Sequence, residues 1–409
     1  MSVTNSKRID YLDAVRAYAL ILGIIFHASL SFMPMYIGWA VMDISTSATI
    51  PVFVLLSHAF RMELFFLIAG FFSHMTFQQQ GGASFVKSRL VKLALPLVIG
   101  WLILRPLLVS CWIMGTESMR GDVNIGAALL QGFASLKALP AGLLIGTHLW
   151  FLYYLLGLSF VVLTLRYLLS WHQPTYRALT TLGDKFVSWI CRAKLAILLI
   201  ALPTACCLGF MDGWAVDTPD KSLLPDIPVT LLYGGFFIFG WLLHRQANLI
   251  AFFARLTWGR FALCIIASLV AIKLSAYQIQ LSHPHYTLIK TAFMLSYALL
   301  MWTLTALTIG ICKRLFMRPK AVIRYIADSA YWLYLIHLPV VVWLQIAFAE
   351  LPLHWSLKLL SICTLTFLLS IVLYDAFVRS TFIGAILTGK RKPRMLFRYR
   401  QIVEFKPSL

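Results

Sequence analysis

The sequence predicts an all-α fold: a polytopic bundle of about ten membrane-spanning helices with both termini in the cytoplasm. Three observations predict it. Apolar residues make up 60% of the 409-residue chain and charged ones only 12%, against roughly a quarter charged in soluble proteins; mean hydropathy is +0.83. Apolar runs of about 20 residues, the length that crosses a bilayer, recur from end to end. The basic residues gather in alternate connecting segments, as cytoplasmic loops require.

In order, the expected spans are 14–36, 50–73, 93–114, 147–170, 194–210, 228–244, 260–278, 288–312, 326–348 and 356–379. With the N-terminus inside, 26 of the 35 Lys and Arg residues fall in cytoplasmic segments. Outside are only Arg120, Lys137 and Lys221. The net charge of +20, which alone would suggest nucleic acid, therefore orients helices instead.

The first run is too long for a signal peptide, contains Arg16 and His27, and has no small-residue cleavage site after it. It reads as a retained helix. The seven cysteines show no metal spacing and lie mostly in apolar runs; they read as buried thiols, and no metal is expected. Residues 115–146 have the Gly-rich composition of a re-entrant or interfacial piece, and 211–227 that of a solvated, Asp-rich loop. Residues 1–389 are expected to form one transmembrane domain, and 390–409 a basic cytoplasmic tail beside anionic lipid.

Ionisable groups within these spans are expensive and by default mark function. At about 100° per residue, Asp13, Arg16, Leu20, Gly23 and His27 share one stripe of the first helix. His58 and Arg61 share a face of the second, with Glu63 turned away. An Arg–Glu or Arg–Asp pair between helices is the plain structural alternative for Arg61. Arg89 and Lys92, one turn apart, suit phosphate. His148 and Trp150 open the fourth helix at its outer end, where an indole suits a sugar ring, and Tyr334 and His337 share a face of the ninth.

As an ordered set these stretches resemble the acyltransferase 3 family of integral-membrane enzymes. The likeness rests on Arg16-x10-His27, Phe65-Phe66-x3-Gly70-Phe71, Arg89-x2-Lys92-x3-Pro96 and Tyr334-Leu-Ile-His337-x-Pro339, and covers most of residues 8–380. His58-Ala-Phe-Arg61, Thr147-His148-Leu-Trp150, Leu373-Tyr374-Asp375 and Thr388-Gly389-Lys390 are similar to a glucan-modifying branch of that family. Lys92 departs from the Arg usual in the family, keeping the charge but losing the planar fork. Glu63 and Asp375 stand where that branch can carry other acidic or amide residues.

The resemblance implies succinyl transfer to osmoregulated periplasmic glucans in a Gram-negative inner membrane, with acyl-CoA as donor substrate and no permanently bound cofactor. His27 is then the expected general base, since imidazole titrates near the working pH. Arg61 orients the acyl group. Arg16, Arg89 and Lys92 hold the donor's phosphates, and His58, His148, Trp150, Tyr334 and His337 surround the substrates. Membrane lipid and a polysaccharide are the expected partners, with a homo-oligomer open. Two alternatives stand beside this reading. One is O-acetylation of lipopolysaccharide or exopolysaccharide; the other is a transporter or flippase, a class that often shows internal symmetry, none of which is visible here.

Overall fold

A computed structural model describes residues 9–121, 123–139, 147–219 and 221–396. Among them every regular element is helical. In chain order these are α1 (Asp10–Ser29), α2 (Thr49–His58), α3 (Arg61–Arg89), α4 (Leu95–Ser118), α5 (Ile125–Ala134), α6 (Trp150–Ser170), α7 (Gln173–Arg192) and α8 (Ala196–Leu208). They continue as α9 (Ile227–Arg245), α10 (Ile250–Phe253), α11 (Trp258–Ser275), α12 (Tyr286–Leu315), α13 (Ala321–Phe348), α14 (Trp355–Leu373) and α15 (Phe382–Thr388).

All ten expected spans fall on helices. Among the described residues eight helical runs are long and apolar enough to cross a bilayer. One of them, Thr49–Ser118, holds two expected spans, and is broken at Gly81, whose φ of 77° favours glycine. The expected fifth span is α8, whose 13 residues rise about 20 Å, short of the ~30 Å hydrocarbon core. It is bent by 117° from α7, and the pair makes a ninth span only if taken together. α7 falls in the basic segment between the fourth and fifth expected spans. It folds because Leu179, Leu182, Phe186 and Trp189 recur at helical spacing, forming an exposed apolar stripe.

α1 packs against α2, α3, α12, α13 and α14, which makes it the bundle's central post. α3 and α9 approach each other closely. A Cβ on Gly70 would stand 1.9 Å from the Phe237 carbonyl oxygen, and one on Gly240 1.9 Å from that of Leu67. Reciprocal glycines let the two backbones touch, the usual device where lipid supplies no hydrophobic drive between helices. Apolar side chains of α4 (Val98, Ile99, Ile103), α11 (Ile265, Ile266, Leu269) and α14 (Leu360, Leu368, Leu369) face outward as lipid-exposed surface. Four of the cysteines are buried, Cys207 and Cys363 are half-buried and Cys206 is exposed; all seven are free thiols.

Two irregular segments are tied down by polar contacts. The loop after α1 is held by Lys358 of α14, whose Nζ donates to Asp43 Oδ1 at 2.7 Å and to the Ala349 carbonyl at 3.0 Å. Both side chains are out of reach of solvent. At the other end of the bundle, Asp375 accepts from the Met395 N–H (3.0 Å), the Leu396 N–H (2.9 Å) and the Tyr325 hydroxyl (3.0 Å). Lys392 is ion-paired with Asp328, and Arg379 Nε donates to the Pro393 carbonyl. The first residues of the expected tail, up to Leu396, thus lie against the bundle.

Candidate active site and family

A cavity of about 1170 Å³ runs through the bundle beside α1. Arg16, Leu20, Gly23 and His27 line it in succession, as the helical stripe requires. So do all the other candidates: Arg61, Arg89, Lys92, His58, His148, Trp150, Tyr334 and His337. Residues up to 372 positions apart along the chain, from Arg16 to Thr388, thus border one space.

At one mouth stand Arg16, Arg89, Lys92, Asp328 and Thr388. Arg16 lies 3.4 Å from Asp13 and is partly exposed. Arg89 Nη2 donates to Ser73 Oγ at 2.9 Å, and its guanidinium sits 4.5 Å from the Phe85 ring centre. Lys92 falls in a π-helical turn, Leu90–Ala94, which joins α3 to α4. Such turns interrupt the i→i−4 ladder and concentrate at functional sites. Here the Lys92 carbonyl accepts the Tyr331 hydroxyl at 2.5 Å.

Deeper in, the second expected span is broken between α2 and α3, at Ala59 and Phe60. His58 therefore ends one helix and Arg61 begins the next. His58 Nε2 meets the Thr218 hydroxyl at 3.0 Å, while Arg61 lies 4.1 Å from the Phe26 ring centre. Arg61 is 6% exposed, and its Nη1 has no hydrogen-bond partner among the described residues. Glu63 does not pair with it: both Glu63 carboxylate oxygens lack a hydrogen bond there. The structural pairing weighed for Arg61 is thus not the arrangement found.

Three imidazoles meet above Arg61. The ring centres of His27 and His337 are 5.3 Å apart, and those of His337 and His148 5.9 Å. The motif around Pro339 explains part of this geometry. Proline has no N–H, so the carbonyl four residues earlier, Leu335, is left without its helical donor. His148 Nε2 donates to that carbonyl at 2.9 Å, while His148 Nδ1 finds no partner among the described residues. His337 Nδ1 donates to the Tyr334 carbonyl at 2.8 Å, which in the neutral ring leaves Nε2 as an acceptor. The Tyr334 hydroxyl donates to the His148 carbonyl at 2.7 Å.

His148 is buried within the bundle just ahead of α6, and the neighbouring Leu149 packs on Gly100 of α4. Trp150 is 7% exposed and stacked on Tyr233 at 5.5 Å, so most of its indole serves the core.

The aromatic faces that the sequence reading missed are Trp39 and Trp112. Trp39 stacks on His27 with ring centres 5.8 Å apart and meets Trp112 edge-on at 5.3 Å. Buried Gln345 joins this group to α1. Its Oε1 accepts from Trp39 Nε1 at 2.9 Å, and its Nε2 donates to the His27 and Ala28 carbonyls at 3.0 and 3.1 Å. A lone Gln in the apolar run Val340–Phe348 was the available signal. Gln345→Leu removes all three bonds, each worth about 1 kcal/mol net and more when a buried partner is orphaned. The expected result is a fall of about tenfold or more in kcat/KM with the protein still inserted, measured as acyl transfer per immunodetected protein.

No solved structure matches the chain. Glucans biosynthesis protein C of Escherichia coli K12 is 25% identical over 398 residues, covering 95% of this chain and 97% of that protein. The protein of the same name from Salmonella agona SL483 is 25% identical over 394 residues, again 95% and 97% of the two chains. The acyltransferase domain that defines the acyltransferase 3 family matches residues 9–375, nearly the whole chain. A helical membrane bundle with that match from end to end has one identity: the chain belongs to the acyltransferase 3 family and is a multi-pass membrane acyltransferase.

Proposed function

We propose that the chain carries an acyl group, specifically succinyl, from cytoplasmic acyl-CoA to a hydroxyl of a periplasmic glucan across the bacterial inner membrane. The observation that carries this reading is the single cavity that joins the Arg16–Arg89–Lys92 mouth to His27 and continues to Trp39 and Trp112. The concentration of basic residues in alternate segments supports a cytoplasmic position for the first mouth and for both termini. The glucan acceptor is supported by the names of the full-length relatives.

In the proposed reaction the acceptor hydroxyl reaches His27, which takes its proton as the oxygen attacks the thioester carbonyl. The new C–O bond forms, the C–S bond breaks, and the proton passes from His27 to the departing CoA sulfur. Arg16, Arg89 and Lys92 hold the donor's phosphates. Arg61, buried with an unpaired Nη1, is suited to the free carboxylate of a succinyl group, because a guanidinium and a carboxylate form charge-assisted bonds.

The test uses purified protein in lipid nanodiscs with succinyl-CoA or acetyl-CoA, labelled in the acyl group, and a gluco-oligosaccharide. Label from succinyl-CoA on the sugar is the expected result. Transfer from acetyl-CoA alone would favour O-acetylation. Label that stays on CoA with both donors would overturn the reading in favour of a transporter.

A further inference from the structure

Arg105 is a buried charge that none of the proposed steps uses. It sits in the middle of α4 next to Pro106, is 5% exposed, and lines the cavity. Its Nε and Nη1 have no hydrogen-bond partner among the described residues, and its guanidinium lies 5.0 Å from the Trp101 ring centre. That ring supplies some cation–π attraction, but leaves the Nε and Nη1 donors unmet. A guanidinium held this way costs several kcal/mol unless an anion or other acceptor meets it.

The face that Arg105 belongs to indicates which anion. On α4 the cavity-lining residues beyond Lys92 and Leu93 begin at Arg105 and continue through Leu108, Val109, Trp112, Ile113 and Thr116. These are the i, i+3, i+4, i+7, i+8 and i+11 positions of one helical stripe. Arg105 therefore shares its stripe with Trp112, which meets Trp39, which in turn stacks on His27. Lys221 lines the same cavity. Asp328 is the acidic residue among the lining side chains, and it is ion-paired with Lys392 at the opposite mouth. The half of the cavity beyond His27 thus combines indole faces with positive charge that no carboxylate among the described lining residues offsets.

We propose that this half is a binding site for an anionic glycan: sugar rings lie on Trp39 and Trp112, and Arg105 grips an oxyanion substituent, phosphate or carboxylate, carried by the acceptor. The inference rests on the proposed function in taking the acceptor from this side. It goes beyond that reading in assigning the acceptor a charge. One guanidinium, Arg61, suffices for the single free carboxylate of a succinyl donor; a second buried guanidinium calls for a second anion.

The experiment measures binding without any acyl donor, by tryptophan fluorescence and calorimetry on full-length protein in nanodiscs. The probes are a neutral gluco-oligosaccharide, the same oligosaccharide bearing a 6-phosphate, and one ending in a uronic acid. Charge-assisted bonds of this kind are worth about 1.5–3 kcal/mol. One or both anionic probes should therefore bind at least tenfold tighter than the neutral one, and the probe that does identifies the substituent.

Arg105→Gln should bring that ratio close to one. Arg105→Lys should keep part of it, and the exposed-loop control Arg120→Gln all of it. Equal affinity for neutral and charged sugars in the wild-type protein would overturn the proposal, and needs no variant to be folded. So would an unchanged ratio in Arg105→Gln. If no acyl-CoA supports transfer, the acyl-transfer reading fails while the sugar-binding ratio is still read.

Discussion

Replacing His27 with alanine should lower acyl transfer by about 10²–10⁴-fold, the range set by loss of a positioned base, with the protein still inserted and folded. The asymmetry follows from what His27 touches. Its Nδ1 has no partner among the described residues, so removing the ring orphans no neighbour that the protein itself supplies. The backbone carbonyl that Gln345 grips stays in place, and alanine is the best helix former. His148 and His337 differ in this respect: each spends a nitrogen on a backbone carbonyl, so replacing either disturbs packing as well as chemistry. The check is mass spectrometry of the glucan with an immunoblot of the membrane fraction. Wild-type substitution levels in His27→Ala would remove the base from the mechanism.

The largest loss of stability should come from Lys358→Ala. Lys358 and Asp43 are both fully buried and 2.7 Å apart. Removing one partner strands the other charge, at a cost of about 3–5 kcal/mol. The Asp43 carboxyl is already held above its ordinary pKa, first by burial, against the bonds from Lys358 and the Ser45 N–H that favour its charged form. Thermal unfolding in detergent should show a large drop in midpoint for Lys358→Ala, with part of it recovered in the double variant Asp43→Asn/Lys358→Met. A double variant no more stable than the single one would show that the cost was lost packing rather than a stranded charge. The same pair holds the loop that carries Trp39 over His27, so activity should fall along with stability.

The residues of the Arg16–His27 stripe were legible because one helix is local arithmetic: 3.6 residues per turn sets which side chains share a face, whatever surrounds it. The ten expected spans and the gathering of Arg61, Arg89, Lys92 and His337 followed from hydropathy and the cost of charge in lipid. What the sequence hid depends on contacts between distant segments. The break before Arg61 leaves no proline or glycine at Ala59 or Phe60 to announce it. The π turn at Lys92 is sustained by Tyr331, 239 positions away. Trp39 looks like a loop aromatic until Gln345 and Lys358 fix the loop over His27. Arg105 lies in a run of leucines, where the unmet Nε and Nη1 among the described residues become visible only when the neighbours are placed.

The way Asp375 captures Met395 and Leu396 has a consequence for how the enzyme is made. The mouth that holds Arg89 and Lys92 is completed by Leu387 and Thr388, and the segment after them is fastened by backbone bonds that form only when residue 396 has left the ribosome. A nascent chain can insert its helices and bring Arg16 and His27 together well before that. The mouth lined by Arg89 and Lys92 is therefore completed only after the long helices have been made, and a chain cut short after the final long helix would have its spans and lack one wall of that mouth.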